Sequence, residues 1–288
     1  MIKKAALIIV LILLGIFLLS RTIHRPDYYI DSFNKVSYPE DRGKAEFQTI
    51  QLEKNNNYTL EKIIYESKGE KIYSLFYIPN SETPVSALIY LPAAGAKKEA
   101  LDNVAAKILE HKYAIIILDQ RGIGETAGNF LSLEQEYQLL TEGKEPNLFK
   151  SIYDALKALD ILYKDSRIDK NKITYTGESL GARTAIIAAA LEKRSTGAVV
   201  FSTSGFNNPH PLLTLIDPDN YVGDISPRKF VLFHSLNDQV VPFEYANLTF
   251  SKAKEPKSLM IMPPPCNHGW CMQMENEFFE ALNSQKAL

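Results

Sequence analysis

Cysteine is scarce: two residues in 288, too few for a disulfide-dense mini-protein or a four-cysteine zinc site. Neither charge sign dominates, with 32 basic against 34 acidic side chains and a formal net charge of −2. That balance hides an uneven placement. Lys3, Lys4, Arg21 and Arg25 lie in the first 25 residues without a single acid, which leaves 28 basic against 34 acidic residues, or −6, for the remainder. An acidic body lacks the basic face that phosphates require, so no nucleic acid is expected as a partner. Glycine (14) and proline (15) are too few for a collagen-like or low-complexity chain. With 45% hydrophobic and 23% charged residues, wholesale disorder is excluded as well. No internal repeat of about 20–50 residues is visible.

Long apolar runs are absent except at the start. Ala5 to Leu19 carry no polar side chain, and with Ser20 the uncharged stretch reaches roughly 24 Å as a helix, short of the roughly 30 Å hydrocarbon core. Ile2 and a snorkelling Arg21 extend it. The exit Phe17-Leu18-Leu19-Ser20-Arg21 has neither small residues for a signal peptidase nor a lipobox cysteine. Residues 1–21 therefore read as an N-terminal signal-anchor or transmembrane segment; a cleaved secretory signal and a buried core helix are the rivals. The first two readings export the chain. They give a membrane-anchored protein with an extracytoplasmic body, or a secreted one if the segment is cut.

Residues 22–44 lack a period and read as a juxtamembrane linker or as arms that pack on the main body, which spans 45–288. Phe47–Leu52 alternates with period two, as a strand does. Beyond it the strand candidates are Leu60–Glu66, Ile72–Ile78, Ala87–Leu91, Ala114–Leu118, Ile173–Thr176, Ala198–Ser202, Phe230–His234 and Leu259–Met262. Helices are expected over Lys98–His111, Leu148–Tyr163, Ser179–Lys193, Phe243–Ala253 and Gln273–Ala287. Several of the strands are apolar on both faces, as buried parallel strands are. The expectation is one α/β domain with an eight-stranded mixed sheet.

The sharpest chemical feature is Gly177-Glu178-Ser179-Leu180-Gly181, between the strand Lys172–Thr176 and the apolar helix from Ala185. A serine on a sharp strand-to-helix turn projects its hydroxyl from the sheet edge, and small residues two positions to either side allow the close approach. A structural turn is the bland alternative. A nucleophilic serine needs a base, and the base an orienting acid, in the chain order serine, acid, histidine. Asp238 follows the strand Phe230–His234, and of the five histidines only His268 comes after it. Ser179, Asp238 and His268 are the candidate catalytic residues, and His234 reads as a strand histidine satisfied by its surroundings. Cys266 and Cys271 bracket His268; a disulfide, two packed thiols or, least well, a metal site are open readings.

Over residues 45–288 the chain resembles the α/β-hydrolase superfamily. The resemblance rests on the elbow and on Asp119-Gln120-Arg121-Gly122-Ile123-Gly124-Glu125-Thr126, similar to a D-x-R-G-x-G-x-S turn. It rests also on Ser235-Leu236-Asn237-Asp238-Gln239-Val240-Val241-Pro242, similar to the G-x-x-D-x-x-V-P segment that carries the acid. It implies an α/β-hydrolase fold with a mostly parallel sheet flanked by helices, and oxyanion amides from Leu180 and Ala94. Pro92-Ala93 replaces the family's His-Gly before that loop. Asp119 and Arg121 are expected to brace their turn rather than touch substrate. The segment from Ser202 to Phe230 is too short for a large cap. Within Gly128–Lys150, Phe130, Leu131, Leu133, Leu139, Leu140 and Phe149 either wall a pocket or pack on the core. The resemblance leans toward compact dienelactone-hydrolase-like and xylan-esterase-like serine hydrolases. It implies cleavage of a small-molecule carboxylic ester through an acyl-enzyme, with no cofactor and no metal. A non-catalytic binding module is the alternative, as is a peptidase, thioesterase or acyltransferase with the same triad.

Overall fold

In the run Ala114–Leu118 the side chains divide by parity. Ala114, Ile116 and Leu118 enter one hydrophobic core, and Ile115 and Ile117 enter a second on the opposite face of the sheet. The same period of two separates Ala198 and Val200 from Val199 and Phe201, and Phe230 and Leu232 from Val231 and Phe233. Strands buried on both faces can have no polar side, which is why these segments read as unbroken apolar runs.

The computed structural model describes residues 28–285 except Ala127 and Pro209. A small antiparallel pair, β1 (Tyr29–Ile30) and β2 (Val36–Ser37), precedes the main sheet. That sheet comprises β3 (Phe47–Lys54), β4 (Tyr58–Ser67), β5 (Glu70–Pro79), β6 (Val85–Leu91), β7 (Ala114–Leu118), β8 (Ile168–Glu178), β9 (Gly197–Phe201), β10 (Lys229–Ser235) and β11 (Lys257–Met262). The spatial order is β11-β10-β9-β8-β6-β7-β5-β4-β3. The pairs from β11 through β7 are parallel, and β7-β5, β5-β4 and β4-β3 are antiparallel. The sheet is thus mostly parallel but has nine strands, not eight. The additional one is β3, an edge strand paired with β4 and exposed along its whole length, so its alternation has no buried face behind it.

Helices Asn147–Leu162, Ser179–Leu191 and Phe243–Lys252 cover one face; Asp102–Glu110 and Glu275–Asn283 cover the other. The last helix is shorter than the expected Gln273–Ala287, being a 3₁₀ turn at Met272–Met274 followed by Glu275–Asn283. Residues 28–44 lie on the domain as an arm. Val36 and Tyr38 are buried in the first core, Tyr38 Oη donates to the Phe149 carbonyl at 2.5 Å, and Arg42 Nε binds Asp160 at 2.8 Å. Within 128–150 a short helix, Leu133–Thr141, starts at a Ser132/Gln135 capping box. Phe149 is buried and Leu133 and Leu140 pack beside it, so these side chains belong to the core. Between β9 and β10 the described residues form two short helices, Pro211–Leu215 and Pro218–Tyr221, and a 3₁₀ turn at Val222–Asp224.

The apolar segment 1–21, expected as an N-terminal helix, lies outside the described residues. Among the described residues no helix is long and apolar enough to cross a membrane.

Candidate active site

β8 ends at Glu178 and the helix begins at Ser179 with no loop between them. Ser179 takes up the reversal at φ +54°, a left-handed conformation that a non-glycine residue holds only where its surroundings fix it. The flanking glycines have a steric reason. A Cβ on Gly177 would lie 2.5 Å from the Leu91 carbonyl oxygen, and one on Gly181 would overlap the carbonyls of Leu91 and Pro92. The elbow is therefore pressed against the end of β6. Leu180, in the first helical turn, has no helical acceptor for its amide, and the positive end of the helix dipole lies there.

The loop after β6 is held by Gln120, whose Nε2 donates to the Pro92 carbonyl at 2.5 Å. Ala96 N donates to Ala93 O at 3.1 Å, closing a tight turn in which Gly95 has φ +78° and Ala94 is exposed. The two segments carrying the expected oxyanion donors, Leu180 and Ala94, thus meet at the contact between Gly177/Gly181 and Leu91–Pro92.

Asp238 lies in the turn after β10 and its side chain is fully buried. Its Oδ1 accepts from the amides of Val240 and Val241, both at 2.9 Å. His268 Nδ1 lies 3.0 Å from Oδ1 and 2.9 Å from Oδ2. Burial opposes ionisation of Asp238, but the Val241 amide, the His268 ring and the Val240 amide outweigh it and hold the carboxyl below its ordinary range. An ionised carboxylate on Nδ1 leaves Nε2 of the imidazole as its free base. No hydrogen bond joins the Ser179 hydroxyl to that ring in this geometry; in unliganded sites such bonds are commonly loose.

The histidine loop is tied from several sides. A disulfide joins Cys266 to Cys271 and closes the loop around His268. Gly269 N donates to Ser202 Oγ and Trp270 N to Glu178 Oε2, each at 2.9 Å. Ser235 Oγ donates to the Cys266 carbonyl at 2.9 Å, and Gln239 N to Asn267 Oδ1 at 3.0 Å. Glu178, next to the serine, thereby grips the residues that follow the histidine. Glu178, Ser202 and Gln120 escaped sequence reasoning: each is a single polar residue whose partner is distant in the chain. The elbow pattern tolerates any residue at the position of Glu178, so no motif marked it.

His234 is fully buried, and its Nε2 lies 2.9 Å from the Val241 carbonyl, while Nδ1 has no partner. It is only half satisfied. Burial pushes its pKa down from the ordinary 6.5 against the pull of the Val241 carbonyl and Asp238. The unfolded chain therefore takes up this proton first, so stability is full above about pH 6.5 and declines as pH falls below it. His234→Gln should lose less melting temperature than the parent between about pH 7 and pH 5. Equal losses would contradict a neutral His234.

Asp119 and Arg121 do brace their turn. Asp119 accepts from the Lys98 amide (2.8 Å), the Lys98 ammonium (2.7 Å) and the Glu125 amide (2.9 Å). Arg121 forms a two-point bridge with Asp154, both contacts at 2.8 Å. Next to Leu180 a narrow cavity of about 30 Å³ is bounded by Leu180, Ile123 and Phe130 and by the polar Gln120, Arg121 and Glu136. That is room for one or two water-sized groups. Among the described residues no group of three or more histidine, cysteine or carboxylate side chains is arranged to hold a metal ion.

The acetyl xylan esterase (AXE1) family model matches residues 40–204, more than half of the chain. The chain belongs to the acetyl xylan esterase (AXE1) family. It is accordingly a serine ester hydrolase. The matched span includes Ala94, Ser179 and Leu180 and stops before Asp238 and His268, which rest on geometry. An acetyl xylan esterase from Paenibacillus sp. R4 superposes with a TM-score of 0.70 at 16% identity, covering 83% of this chain and 88% of that one. Acetyl xylan esterase 1 from Thermoanaerobacterium sp. JW/SL YS485 gives 0.66 at 18% identity, with the same two coverages of 83% and 88%. Both have the α/β-hydrolase fold in common with this chain. The uncharacterized protein YfhR of Escherichia coli O157:H7 is 21% identical over 253 residues, 79% of this chain and 84% of that protein.

Proposed function

We propose that the enzyme hydrolyses carboxylic esters of small acyl groups, acetate foremost, through an acyl-enzyme on Ser179. His268 takes the serine proton as Oγ attacks the carbonyl carbon, and returns it to the departing alkoxide. Asp238 fixes the imidazole tautomer and stabilises the imidazolium. The amides of Leu180 and Ala94 receive the oxyanion, where one donor is typically worth about 3–4 kcal/mol. Water, deprotonated by the same histidine, then releases the acid and restores the serine.

The observation that carries this reading is the grip of the amide-held Asp238 carboxylate on His268 Nδ1, in a loop pinned to Glu178 beside Ser179. Membership of the acetyl xylan esterase family favours a short acyl group. We place the catalytic body outside the cytoplasmic membrane, tethered by residues 1–21 or released from them. The basic, apolar start of the sequence supports this, and a disulfide suits an oxidising compartment.

A series of 4-nitrophenyl esters tests the acyl assignment. Acetate should exceed butyrate in kcat/KM by about tenfold or more, since an unaccommodated methylene costs about 1–3 kcal/mol. A rate that rises toward octanoate would overturn it.

A further inference from the structure

Ser179 and His268 come from segments far apart in the chain, and no hydrogen bond between their side chains fixes their separation in this geometry. The two segments are joined instead by a pair of acceptors at the carboxyl ends of adjacent strands. β8 ends at Glu178, immediately before the nucleophile, and β9 ends at Phe201, immediately before Ser202. Glu178 and Phe201 are register partners. Glu178 Oε2 accepts from the Trp270 amide and Ser202 Oγ from the Gly269 amide, each at 2.9 Å. The two amides are consecutive and directly follow His268, so both acceptors hold the backbone right beside the base.

The acceptors are themselves fixed. Ser202 is fully buried, and its amide donates to the Phe233 carbonyl at 2.8 Å. It holds φ +49°, beside the +54° of Ser179 on the neighbouring strand, a backbone that a non-glycine residue keeps only under constraint. Thr203 Oγ1 donates to the Ser179 carbonyl at 3.1 Å, which bonds the Ser202 turn to the elbow. A Cβ on Gly269 would lie 2.5 Å from Glu178 Oε2, and Gly269 has φ +82°, so only glycine allows this approach. The Trp270 ring packs on Phe201 and Phe278, with centroids 5.3 and 5.0 Å apart. The other ties of the histidine loop lead elsewhere. The disulfide closes the loop on itself, and the Ser235 and Gln239 hydrogen bonds join it to the loop of Asp238. Glu178 and Ser202 are the ties that lead to the serine.

We infer that Glu178 and Ser202 are positioning residues of the reaction, which together set where His268 stands relative to the Ser179 hydroxyl. This rests on the proposed triad, because both residues act only through His268. Asp238 fixes the tautomer and the tilt of the imidazole; the Glu178–Ser202 pair fixes the place of its loop against the nucleophile. Glu178 is covalently next to Ser179, so nucleophile and base share one frame. Losing either tie leaves the triad chemically complete but frees the base to drift, and a displacement of about 1 Å costs about 10²-fold in rate. The loss falls on kcat, because His268 takes the serine proton in the transition state and not in the ground-state complex.

The test measures kcat and KM of the full chain on 4-nitrophenyl acetate for Glu178→Leu, Glu178→Gln, Ser202→Ala, His268→Ala and the double variant Glu178→Leu/His268→Ala. Glu178→Leu should lower kcat by about 10²-fold and leave KM within about threefold. Glu178→Gln keeps a carbonyl oxygen that accepts from the Trp270 amide, and should recover about tenfold or more of that loss. Ser202→Ala should lower kcat in the same manner with Glu178 in place, and decides the matter if a melting curve shows Glu178→Leu unfolded. In the double variant the losses should not add: its kcat should equal that of His268→Ala, since no base is left to position. Additive losses, a parental kcat in either folded single variant, or a Gln variant no better than Leu would overturn the positioning role and leave the triad standing. A His268→Ala enzyme with the parental rate would overturn the triad, and the positioning role with it.

Discussion

Ser179→Ala lowers kcat/KM for 4-nitrophenyl acetate by about 10⁴ or more, with the melting temperature nearly that of the parent. The size follows from the role: without Oγ no acyl-enzyme forms, and only the oxyanion amides and substrate binding remain to assist attack by water. The fold survives because the constraint at position 179 is in the backbone. Alanine meets the same φ of +54° that serine does, and the Gly177 and Gly181 contacts with Leu91 and Pro92 are untouched. KM should change little, since the hydroxyl contributes to the transition state and not to ground-state binding. A variant retaining a tenth of the parental rate would place the nucleophile elsewhere.

Arg121→Met destabilises the fold by about 3–5 kcal/mol, because it leaves the buried Asp154 carboxyl without its cation, and Asp154→Leu does so toward the lower end of that range, because Arg121 keeps Glu70. In a chain of this length that corresponds to roughly 10 °C or more of melting temperature. Arg121 contacts Asp154 twice, the Ser67 carbonyl at 3.0 Å and Glu70 at 2.9 Å; Ser67 Oγ reaches Asp154 at 2.5 Å. Burial raises the Asp154 carboxyl while Arg121 pulls it down, and burial prevails. The pair thus carries a desolvation cost that an apolar replacement of both partners would avoid. The double variant should be less destabilised than the sum of the two single ones, a coupling that a double-mutant cycle measures. At temperatures well below melting, Arg121→Met should keep kcat/KM within about tenfold of the parent. A folded Arg121→Met without activity would mean that the guanidinium reaches substrate.

Much of this architecture is legible in the sequence, for a physical reason. Strands buried on both faces cannot hide their composition, so Ala114–Leu118, Ala198–Phe201 and Phe230–His234 stand out as apolar runs. The helix after Ser179 follows from its alanine and isoleucine content. β3 was recognisable as a strand, but its place as a ninth member of the sheet was not, since an edge strand exposed on both sides leaves no burial pattern from which to count it. Helix ends shifted where 3₁₀ turns intervene, at Lys98–Leu101 and Met272–Met274.

The site divides along the same line. Backbone geometry restricts the elbow and the turns around Asp119 and Asp238, so their glycines, valines and prolines leave a spaced motif. Contacts between side chains far apart in sequence leave none. Lys98 is fully buried against Asp119, 21 residues away, yet in the sequence it is one lysine among many. Glu178 and Ser202 fix the histidine loop through single hydrogen bonds. Cys266 and Cys271 could be read as bonded or free until the loop geometry brought them together. Phe149 and Phe130, written alike in the sequence, separated into a core residue and an exposed rim residue. Phe149 lies in the helix Asn147–Leu162 that covers the sheet, whereas Phe130 lies in the irregular chain before Leu133–Thr141.

The most direct test of Ser179 as nucleophile is labelling of the purified full chain with a fluorophosphonate, followed by proteolysis and mass mapping of the adduct. Phosphonylation should fall on the peptide containing Ser179, proceed stoichiometrically, and vanish in Ser179→Ala. It should slow sharply in His268→Ala, where no base activates the hydroxyl. An unlabelled parent, or a label that persists in Ser179→Ala, would contradict the account.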